Sequence, residues 1–322
     1  MDWGAFVFAV AFMAVVVVVA QWRALRTGWR WWKERPERAA RARAAEESLG
    51  AWRAEYEAAN PEGPPITPEE HADFSAWFAA QVRPAMRLSP KPGPAAPDGC
   101  RIGGPVWLAE EQEWPLSPRG NRMEFLAQLD FAAMPALPGF PRGGVVQVFL
   151  PTDDDLMGMN PDDPVASTVA VLSRPNGAGA VRHENLAAAE RDGRVSALSD
   201  TASRTGMPLA PEAITMPIML DQWQIEARLH GHHRREGFEE WEDLLDEIVA
   251  PPETHHVGGY PSFVQYDFRA EGRHDDYDTC LLRLTSDKHL QWGDVGEANL
   301  LIRAEDLAAG DFSRVIFWWD CS

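Results

Sequence analysis

Hydrophobic residues are most concentrated at the start of the chain. Trp3 to Ala20 contains 18 residues without a charged side chain, including the run Val15 to Val19. A helix of this length covers about 27 Å at 1.5 Å per residue, close to the thickness of a hydrocarbon core. The pattern predicts a transmembrane anchor over residues 1–21, with its span at 3–20. A cleaved signal peptide and a buried core helix are the alternatives, and the signal peptide is disfavoured because only an acidic side chain, Asp2, precedes the run.

Basic residues follow the apolar run directly. Residues 22–43 contain eight basic and two acidic side chains, and the positive-inside rule places such a flank in the cytoplasm. Indole rings favour the headgroup layer, and tryptophans lie just beyond the span, at Trp22, Trp29, Trp31 and Trp32. We expect a single-pass protein of the inner membrane with its N-terminus outside and its C-terminal domain in the cytoplasm. One expected partner is the lipid bilayer, through residues 3–20 and the basic flank.

A helical pattern continues through the basic juxtamembrane and stalk segment, residues 22–62. From Pro36 to Ala59, apolar residues recur every three or four positions, as on one face of a helix. They are Ala42, Ala45, Leu49, Trp52, Tyr56 and Ala59. This face predicts a stalk helix that docks on its own domain, and a short oligomerising coiled coil is the alternative.

Two further helices are predicted in the body of the chain. Thr67-Pro68-Glu69-Glu70 has the capping-box pattern, in which a hydroxyl and a carboxylate bind the free amides of the first turn. The apolar stripe that follows it ends at Arg83-Pro84. A second stripe, Phe238 to Val249, ends at Pro251-Pro252.

Short apolar runs separated by Gly, Pro and Asp replace the helical spacing from residue 100 onward. Such runs are typical of a β-rich domain. The predicted strands are Phe125–Leu129, Val145–Leu150, Ser167–Leu172, Ser262–Phe268, Cys280–Leu284, Ala298–Ile302 and Val315–Trp319.

The strand pattern occurs twice. Gly103-Gly104 recurs as Gly258-Gly259, 155 residues later, and FLAQLD from Phe125 corresponds to CLLRLT from Cys280 at the same distance. GGVVQVFL from Gly143 corresponds to GEANLLIR from Gly296, 153 residues later. We therefore expect two pseudo-repeats, about residues 100–172 and 255–322, packed face to face around one core. The seam between them is then the default place for a ligand.

Composition narrows the function classes. The chain has 322 residues and a net charge of −19, with a pI near 4.8 and a mean hydropathy of −0.32. These values exclude a polytopic membrane protein and a non-specific nucleic-acid binder, which needs a basic face. Residues 1–60 carry +2 and the rest −21, so the acidic body is expected to stand off an anionic leaflet. The three cysteines are an odd number without a C-x-x-C motif and indicate neither a disulfide framework nor a zinc site.

Several short motifs occur in a fixed order along the body. They are RPAMRL from Arg83, IGGP from Ile102, WP at Trp114, FLAQLD from Phe125, HVGGYP from His256, Gln265, LLRL from Leu281, WGDVG from Trp292 and the terminal Cys321-Ser322. In these motifs the chain resembles the bacterial YwqG-like family, a domain of unknown function, over roughly residues 66–322. The resemblance implies a mainly β, roll-like fold with internal duplication, and no established activity. Arg283 departs from it, because the family usually has glutamine there, and the anchor and stalk lie outside it.

Together these patterns predict an α+β, mainly β fold. We expect an internally duplicated, roll-like β-rich domain with a few helices over residues 63–322, preceded by an N-terminal transmembrane helix and a helical stalk.

Familiar catalytic and cofactor motifs are missing from the sequence. No Gly-Lys supports a phosphate-binding loop and no serine lies in G-x-S-x-G. The acidic run Asp153-Asp154-Asp155 fails as a calcium loop, because its twelfth position is Pro164. His230–His233 and His255-His256 are candidate metal ligands, but arginines flank the first cluster and no cysteine supports a closed site. We expect no metal and no cofactor.

Six residues form the candidate ligand-binding constellation. Gln128 comes from the first repeat, and the second supplies His256, Tyr260, Gln265, Trp292 and Asp294. A His–Asp pair beside Tyr and Trp suits a polar ligand or general acid–base chemistry. The alternative is structural, with the glutamines satisfying backbone groups at strand edges and the aspartate capping a turn.

Three hypotheses of function follow. The preferred one is a membrane-anchored cytoplasmic module that binds an unknown small molecule or protein, or acts as a scaffold, without catalysis. The second is a hydrolase-type enzyme that uses His256 and Asp294 in the seam. The third is a self-associating structural protein.

Overall fold

The computed structural model describes residues 48–51, 54, 58, 63–175, 181–184, 194–246, 254–270 and 273–322. The chain divides into two units, Met1–Pro64 and Pro65–Ser322. In the first unit, residues 48–51, 54 and 58 are helical, within the predicted stalk. The predicted span at residues 3–20 and its basic flank lie outside the described residues.

The second unit is built on antiparallel strands. Their bounds are β1 (Val82–Pro90), β2 (Arg101–Ile102), β3 (Val106–Ala109), β4 (Glu124–Asp130), β5 (Val145–Leu150), β6 (Ala170–Arg174), β7 (Val181–Glu184), β8 (Met207–Pro217), β9 (His255–Gly258), β10 (Thr279–Thr285), β11 (Glu297–Ile302) and β12 (Ile316–Asp320). Among the described residues, ten strands form one sheet in the order β12-β11-β10-β9-β1-β8-β2-β4-β5-β6, and β3 pairs with β7 separately. The large sheet curls into a half-barrel.

The second unit also contains short helices. They are α1 (Pro68–Ala80), α2 (Asp200–Thr205), α3 (Trp223–Leu229), α4 (Glu239–Asp246) and α5 (Ala304–Ala309), with a 3₁₀ turn at Pro164–Ala166. The predicted capping box is confirmed, since the Thr67 hydroxyl accepts from the Glu70 N–H and the Glu70 carboxylate accepts from the Thr67 N–H. Helix α1 packs on α4, where Phe74 stacks on Trp241 at 4.4 Å between ring centroids.

A long strand pair forms the centre of the large sheet. Strands β1 and β8 pair from Val82–Pro217 to Pro90–Leu209, and β9 joins β1 on one side while β2 joins β8 on the other. Strands β2, β4, β5 and β6, from the first predicted repeat, are called the first half of the sheet, and strands β9 to β12 the second half. The order outward from the centre is the same in both halves.

The two halves share their irregularities as well as their order. In the first half, the register between β4 and β5 shifts between Phe125 and Ala127. In the second half, the register between β10 and β11 shifts between Cys280 and Leu282, the positions 155 residues later. Both halves also have a Gly-Gly pair with positive φ after the innermost strand. A bulge and a left-handed turn are specific local features, and both recur at equivalent positions of the two halves.

One apolar core joins the two halves. Leu129 and Val148 of the first half belong to the same buried cluster as Leu284, Leu300 and Phe317 of the second. Each large apolar side chain buried this way contributes roughly 1.5–3 kcal/mol. The seam between the halves is therefore an apolar core.

The predicted fold class is wrong. Instead of a roll of two units packed face to face behind a membrane-spanning helix, the second unit is one curled antiparallel sheet. The sequence pattern missed β1 and β8, whose pairing joins the two repeats edge to edge through the centre of the sheet. Within the part of the chain that the structure describes, no helix is long and apolar enough to cross a bilayer.

Most apolar runs form the expected strands, with one exception. The runs at β4, β5, β10, β11 and β12 are confirmed within a residue or two, and β6 begins later than predicted. The predicted strand Ser262–Phe268 is wrong. The N–H groups of Phe263, Val264 and Gln265 in that segment donate to the carboxylates of Asp221 and Asp320 instead of to a neighbouring strand.

Candidate functional site

A row of buried polar side chains crosses the first half, on the face opposite the core. Arg101 on β2, Gln128 on β4 and Gln147 on β5 are paired in register. The Oε1 atom of Gln128 accepts from Arg101 Nη2 at 2.8 Å and from Gln147 Nε2 at 3.0 Å. Other donors of the three side chains bind backbone carbonyls of the covering segments, at Pro105, Pro97, Gly99 and Trp107.

A second row crosses the other half in the same place. His256 on β9, Arg283 on β10 and Asn299 on β11 are paired in register. Arg283 forms a buried ion pair with Glu297, and the hydroxyl of Ser262 donates to Glu297 at 3.0 Å. The second row therefore contains a buried ion pair, whereas the first row consists of an arginine and two amide side chains.

The two rows use equivalent backbone acceptors. Arg101 donates to the carbonyl of Pro105, as His256 does to the carbonyl of Tyr260. Gln128 donates to the carbonyl of Gly99, as Arg283 does to the carbonyl of Thr254. Gln147 donates to the carbonyl of Trp107, as Asn299 does to the carbonyl of Ser262. In each pair the acceptors lie 155 residues apart. The rows thus tie the segments before and after each Gly-Gly pair onto their own half of the sheet, which is a structural role.

The predicted His–Asp couple is not assembled among the contacts of the described residues. His256 is fully buried, and its Nε2 donates to the carbonyl of Tyr260 at 2.9 Å. Burial, and then the charge of Arg283, lower the pKa of His256 to about 3, so the ring is neutral at pH 7. Asp294 is exposed, and its backbone carbonyl accepts from the N–H of Ser322.

The other predicted site residues are dispersed as well. Gln128 lies in the row of the first half, whereas His256 lies in the row of the second. Tyr260 is buried beneath the Arg83 guanidinium, 4.2 Å from its ring centroid. Trp292 is buried against Phe317 in the core, and the side chain of Gln265 donates to the carbonyl of Cys321 at 2.8 Å.

The histidine clusters do not form a metal site. Among the described residues, no group of three or more His, Cys, Asp or Glu side chains is arranged to hold a metal ion. His232 packs on Trp241 with ring centroids 5.0 Å apart, and His233 packs on Phe238 at the same distance. These rings extend the aromatic cluster between α1 and α4.

A pocket of about 240 Å³ lies beside the first row, where the ends of β5 and β6 meet the loop that follows α5. Its lining is mostly apolar and contains one charged side chain. The lining residues are Phe131, Pro141, Gly143, Gly144, Val145, Val146, Ser173, Arg174, Pro175, Gly310 and Phe312. Such a mixture of an apolar wall and one fixed polar group is typical of small-molecule sites.

Arg174 is the one ionisable residue among those that line this pocket. It is 6% exposed, and its Nη2 atom lies 3.3 Å from the carbonyl of Pro97 and 3.3 Å from the Asp98 carboxylate. Within the described residues its Nε has no hydrogen-bond partner. Burial, and then the charge of Arg174, lower the pKa of Arg101 to about 9, with Asp98 opposing the change. Positive charge is therefore concentrated on this face of the first half.

Gly144 allows the pocket wall to pass close to Arg174. Its φ is +95°, and a Cβ at this position would lie 3.3 Å from the Arg174 carbonyl. A larger residue would be strained there, so the glycine fits both the turn and the close approach.

Sequence reasoning missed this pocket. Its walls come from residues 131, 141, 143–146, 173–175, 310 and 312, which no spacing or motif connects. The sequence marks the Gly143-Gly144 pair only as a landmark of the repeat. A signal that singles out Arg174 is not visible in the sequence.

Comparison with known proteins identifies a family whose activity is unknown. A family model described as "Domain of unknown function (DUF1963)" matches residues 100–321. No curated protein matches the chain. The matched region contains both halves of the sheet and the whole pocket lining.

Proposed function

We propose, on the premise that the chain belongs to the DUF1963 family, that it is a binding module without catalysis and that it takes a small molecule in the pocket beside Arg174. The observation that carries this proposal is a mostly apolar pocket of about 240 Å³ that has the buried residue Arg174 in its wall. A ligand with a compact apolar body fits this lining, and the positive charge of Arg174 nearby favours an anionic ligand over a cationic one.

The chemistry of the lining supports binding over catalysis. Arg174 is its one ionisable side chain and Ser173 its one hydroxyl. A nucleophile needs a base within hydrogen-bond reach, and the lining contains none. His256, the base of the hydrolase hypothesis, donates to a backbone carbonyl and is neutral at pH 7. We therefore do not propose a hydrolase.

The proposal is tested by filling the pocket. Ser173 is an exposed lining residue, so Ser173→Trp places an indole in the cavity without changing the core. Full-length protein is titrated with benzoate, benzamide and benzylamine by ligand-observed NMR. Because burying a ring contributes roughly 1.5–3 kcal/mol, Ser173→Trp is expected to weaken binding about tenfold or more.

The matched control is Ser313→Trp. Ser313 is exposed and follows the lining residue Phe312, but it is not part of the lining. Wild type and Ser313→Trp are expected to bind benzoate alike and more tightly than benzylamine. Equal binding by both tryptophan variants, or binding of none of the probes to wild type, contradicts the proposal.

We also propose that the chain is YwqG-like within its family. The support is the ordered set of motifs, of which HVGGYP from His256 forms β9 and the turn after it. Purified relatives carrying these motifs should bind the same probes as this chain.

A further inference from the structure

Three carboxylates from three different elements hold one short segment of the second half. This segment, Ser262–Gln265, is called the strap. The N–H of Phe263 donates to Asp221 in the turn before α3, and the next two N–H groups donate to Asp320 at the end of β12. The hydroxyl at the start of the strap donates to Glu297 at the start of β11. The strap is therefore fastened by groups that titrate.

The two ends of the strap are held differently. The N–H of Ser262 donates to Oδ1 of Asn299 at 3.3 Å, and its carbonyl accepts from Nδ2 of the same side chain at 2.7 Å. These two bonds do not depend on pH, because an amide side chain carries no charge. Val264 and Gln265, whose N–H groups bind Asp320, are exposed. The strap thus has a fixed, buried end and an exposed end that depends on carboxylates.

Negative charge exceeds positive charge where the carboxylates meet. Glu297 and Asp320 are directly opposite each other on β11 and β12, and like charges at opposite positions destabilise a sheet. Arg283 pairs with Glu297. Within the described residues, Asp221 and Asp320 form no ion pair. One cation therefore serves three carboxylates.

The other titratable groups around the strap do not supply the missing positive charge. Arg269, whose guanidinium lies 5.4 Å from an aromatic ring of the strap, forms a buried ion pair with Asp267. His256 on β9 has a pKa of about 3 and is neutral at pH 4 and above. Cys321 follows β12, and the nearby Asp294 is exposed.

These surroundings favour the protonated form of the two unpaired carboxyl groups. Burial raises the pKa of Asp221, and the charge of Glu297 adds to this change. Burial also raises the pKa of Asp320, and the charge of Asp221 adds to it. Hydrogen bonds from the strap oppose both changes without cancelling them. A carboxyl group whose pKa is higher when the strap is closed binds its proton more tightly in that state, so a lower pH favours closure.

We infer that the strap is a pH-sensitive device, which proton uptake by this group of carboxylates tightens and proton loss loosens. Loosening begins as the pH rises above the ordinary carboxyl pKa of about 3.9 and is complete above the raised pKa values of the closed state. Ser262 stays bound to Asn299 throughout, so only the exposed end opens. This inference is independent of the pocket beside Arg174.

The test is amide hydrogen exchange of the full-length protein at pH 4 and pH 7, read by mass spectrometry. Protection factors, corrected for the intrinsic effect of pH on exchange, are compared between peptides that cover the strap and peptides that cover β10. Because a like-charge contact between strands is weak, protection of the strap relative to β10 is expected to rise roughly twofold to fivefold from pH 7 to pH 4. Unchanged or lower relative protection at pH 4 overturns the inference.

Asp221→Asn is the matched test of the carboxylate group. It removes one of the two unpaired negative charges and keeps an oxygen that can accept from the N–H of Phe263. In this variant the rise in relative protection should shrink to less than about twofold. Glu111→Gln removes an exposed acidic charge elsewhere and should keep the wild-type rise. A full rise in Asp221→Asn, or an equal reduction in Glu111→Gln, also overturns the inference. If Asp221→Asn does not fold, the wild-type comparison decides alone.

Discussion

The two halves of the large sheet carry opposite charges at equivalent corners. In the first half, the end of the β5–β6 pair places Val145 opposite Arg174. In the second half, the end of the β11–β12 pair places Glu297 opposite Asp320. The strand order, the bulge and the backbone acceptors are the same in both halves. The halves therefore differ in the side chains at these corners and in the chain segments that pack on them.

The acidic corner of the second half is closed by the chain itself. The N–H groups of Val264 and Gln265 donate to the Asp320 carboxylate at 3.1 and 2.9 Å. Arg283 pairs with Glu297. Burial raises the pKa of Asp320, and these N–H donors oppose that change. The donors at this corner therefore stabilise the fold.

The basic corner of the first half is left open. A pocket adjoins Arg174, whose guanidinium pairs with the exposed Asp98. Under the proposed function, one scaffold serves two purposes: the second half uses its buried charges for stability, and the first half keeps a positive charge beside a ligand pocket. This division is the central claim.

The largest expected effect is on the ionic row of the second half. Arg283→Gln introduces the residue found at the equivalent position of the first row, Gln128, and leaves Glu297 buried without its cation. Removal of one partner of a buried ion pair costs about 3–5 kcal/mol, so the free energy of unfolding in urea should fall by that amount.

The matched double variant sharpens this prediction. Arg283→Gln with Glu297→Val copies both residues of the first half, Gln128 and Val145, and removes the orphaned charge. We expect it to recover most of the lost stability. A double variant as unstable as the single one would show that the two rows are not interchangeable.

A smaller effect is expected at His255, which the first half replaces with Cys100. His255 Nδ1 accepts from the N–H of Thr285, and its Nε2 lies 3.6 Å from the Asp287 carboxylate. Burial opposes ionisation of Asp287, but hydrogen bonds from His255 and from two backbone N–H groups outweigh it and lower the pKa of Asp287 to about 2.

A carboxylate whose pKa is lower in the folded than in the unfolded state stabilises the fold at pH values above its pKa in the unfolded chain, about 3.9. This stabilisation is lost as the pH falls through the pKa of the folded state. Asp287→Asn should therefore reduce the unfolding free energy by about 1 kcal/mol at pH 7, since the site is partly exposed. The difference from wild type should shrink between pH 4 and pH 2. Asp200→Asn, in an exposed ion pair with Arg204, is the control, and an equal loss there would contradict the assignment.

Part of the fold was predictable because local pattern determines it. Strands β4, β5, β10 and β11 are almost wholly buried, so their continuous apolar runs identify them. Strands β1 and β8 were missed because prolines such as Pro84 and Pro211 lie inside them, and proline argues against a central strand. Their pairing is a tertiary effect.

The site was less predictable than the fold. The sequence places Gln128 and His256 in one constellation across the seam, but spacing does not show that each belongs to the row of its own half. The pocket depends on Arg174 and Phe312, which are distant in sequence and carry no motif. The predicted inner-membrane location concerns residues outside the described part of the chain and stays a prediction.

One measurement tests the division between the halves most directly. Arg174→Gln and Asp320→Ala, at equivalent corners, are each assayed for benzoate affinity and for unfolding in urea. Arg174→Gln should weaken benzoate binding roughly twofold to fivefold, because positive charge beside the pocket is lost, and should leave stability nearly unchanged, because the ion pair with the exposed Asp98 is weak. Asp320→Ala should lose about 1–3 kcal/mol of stability, because buried N–H groups lose their acceptor, and should retain benzoate binding. The opposite pattern, or equal effects of both variants on both quantities, would contradict the account.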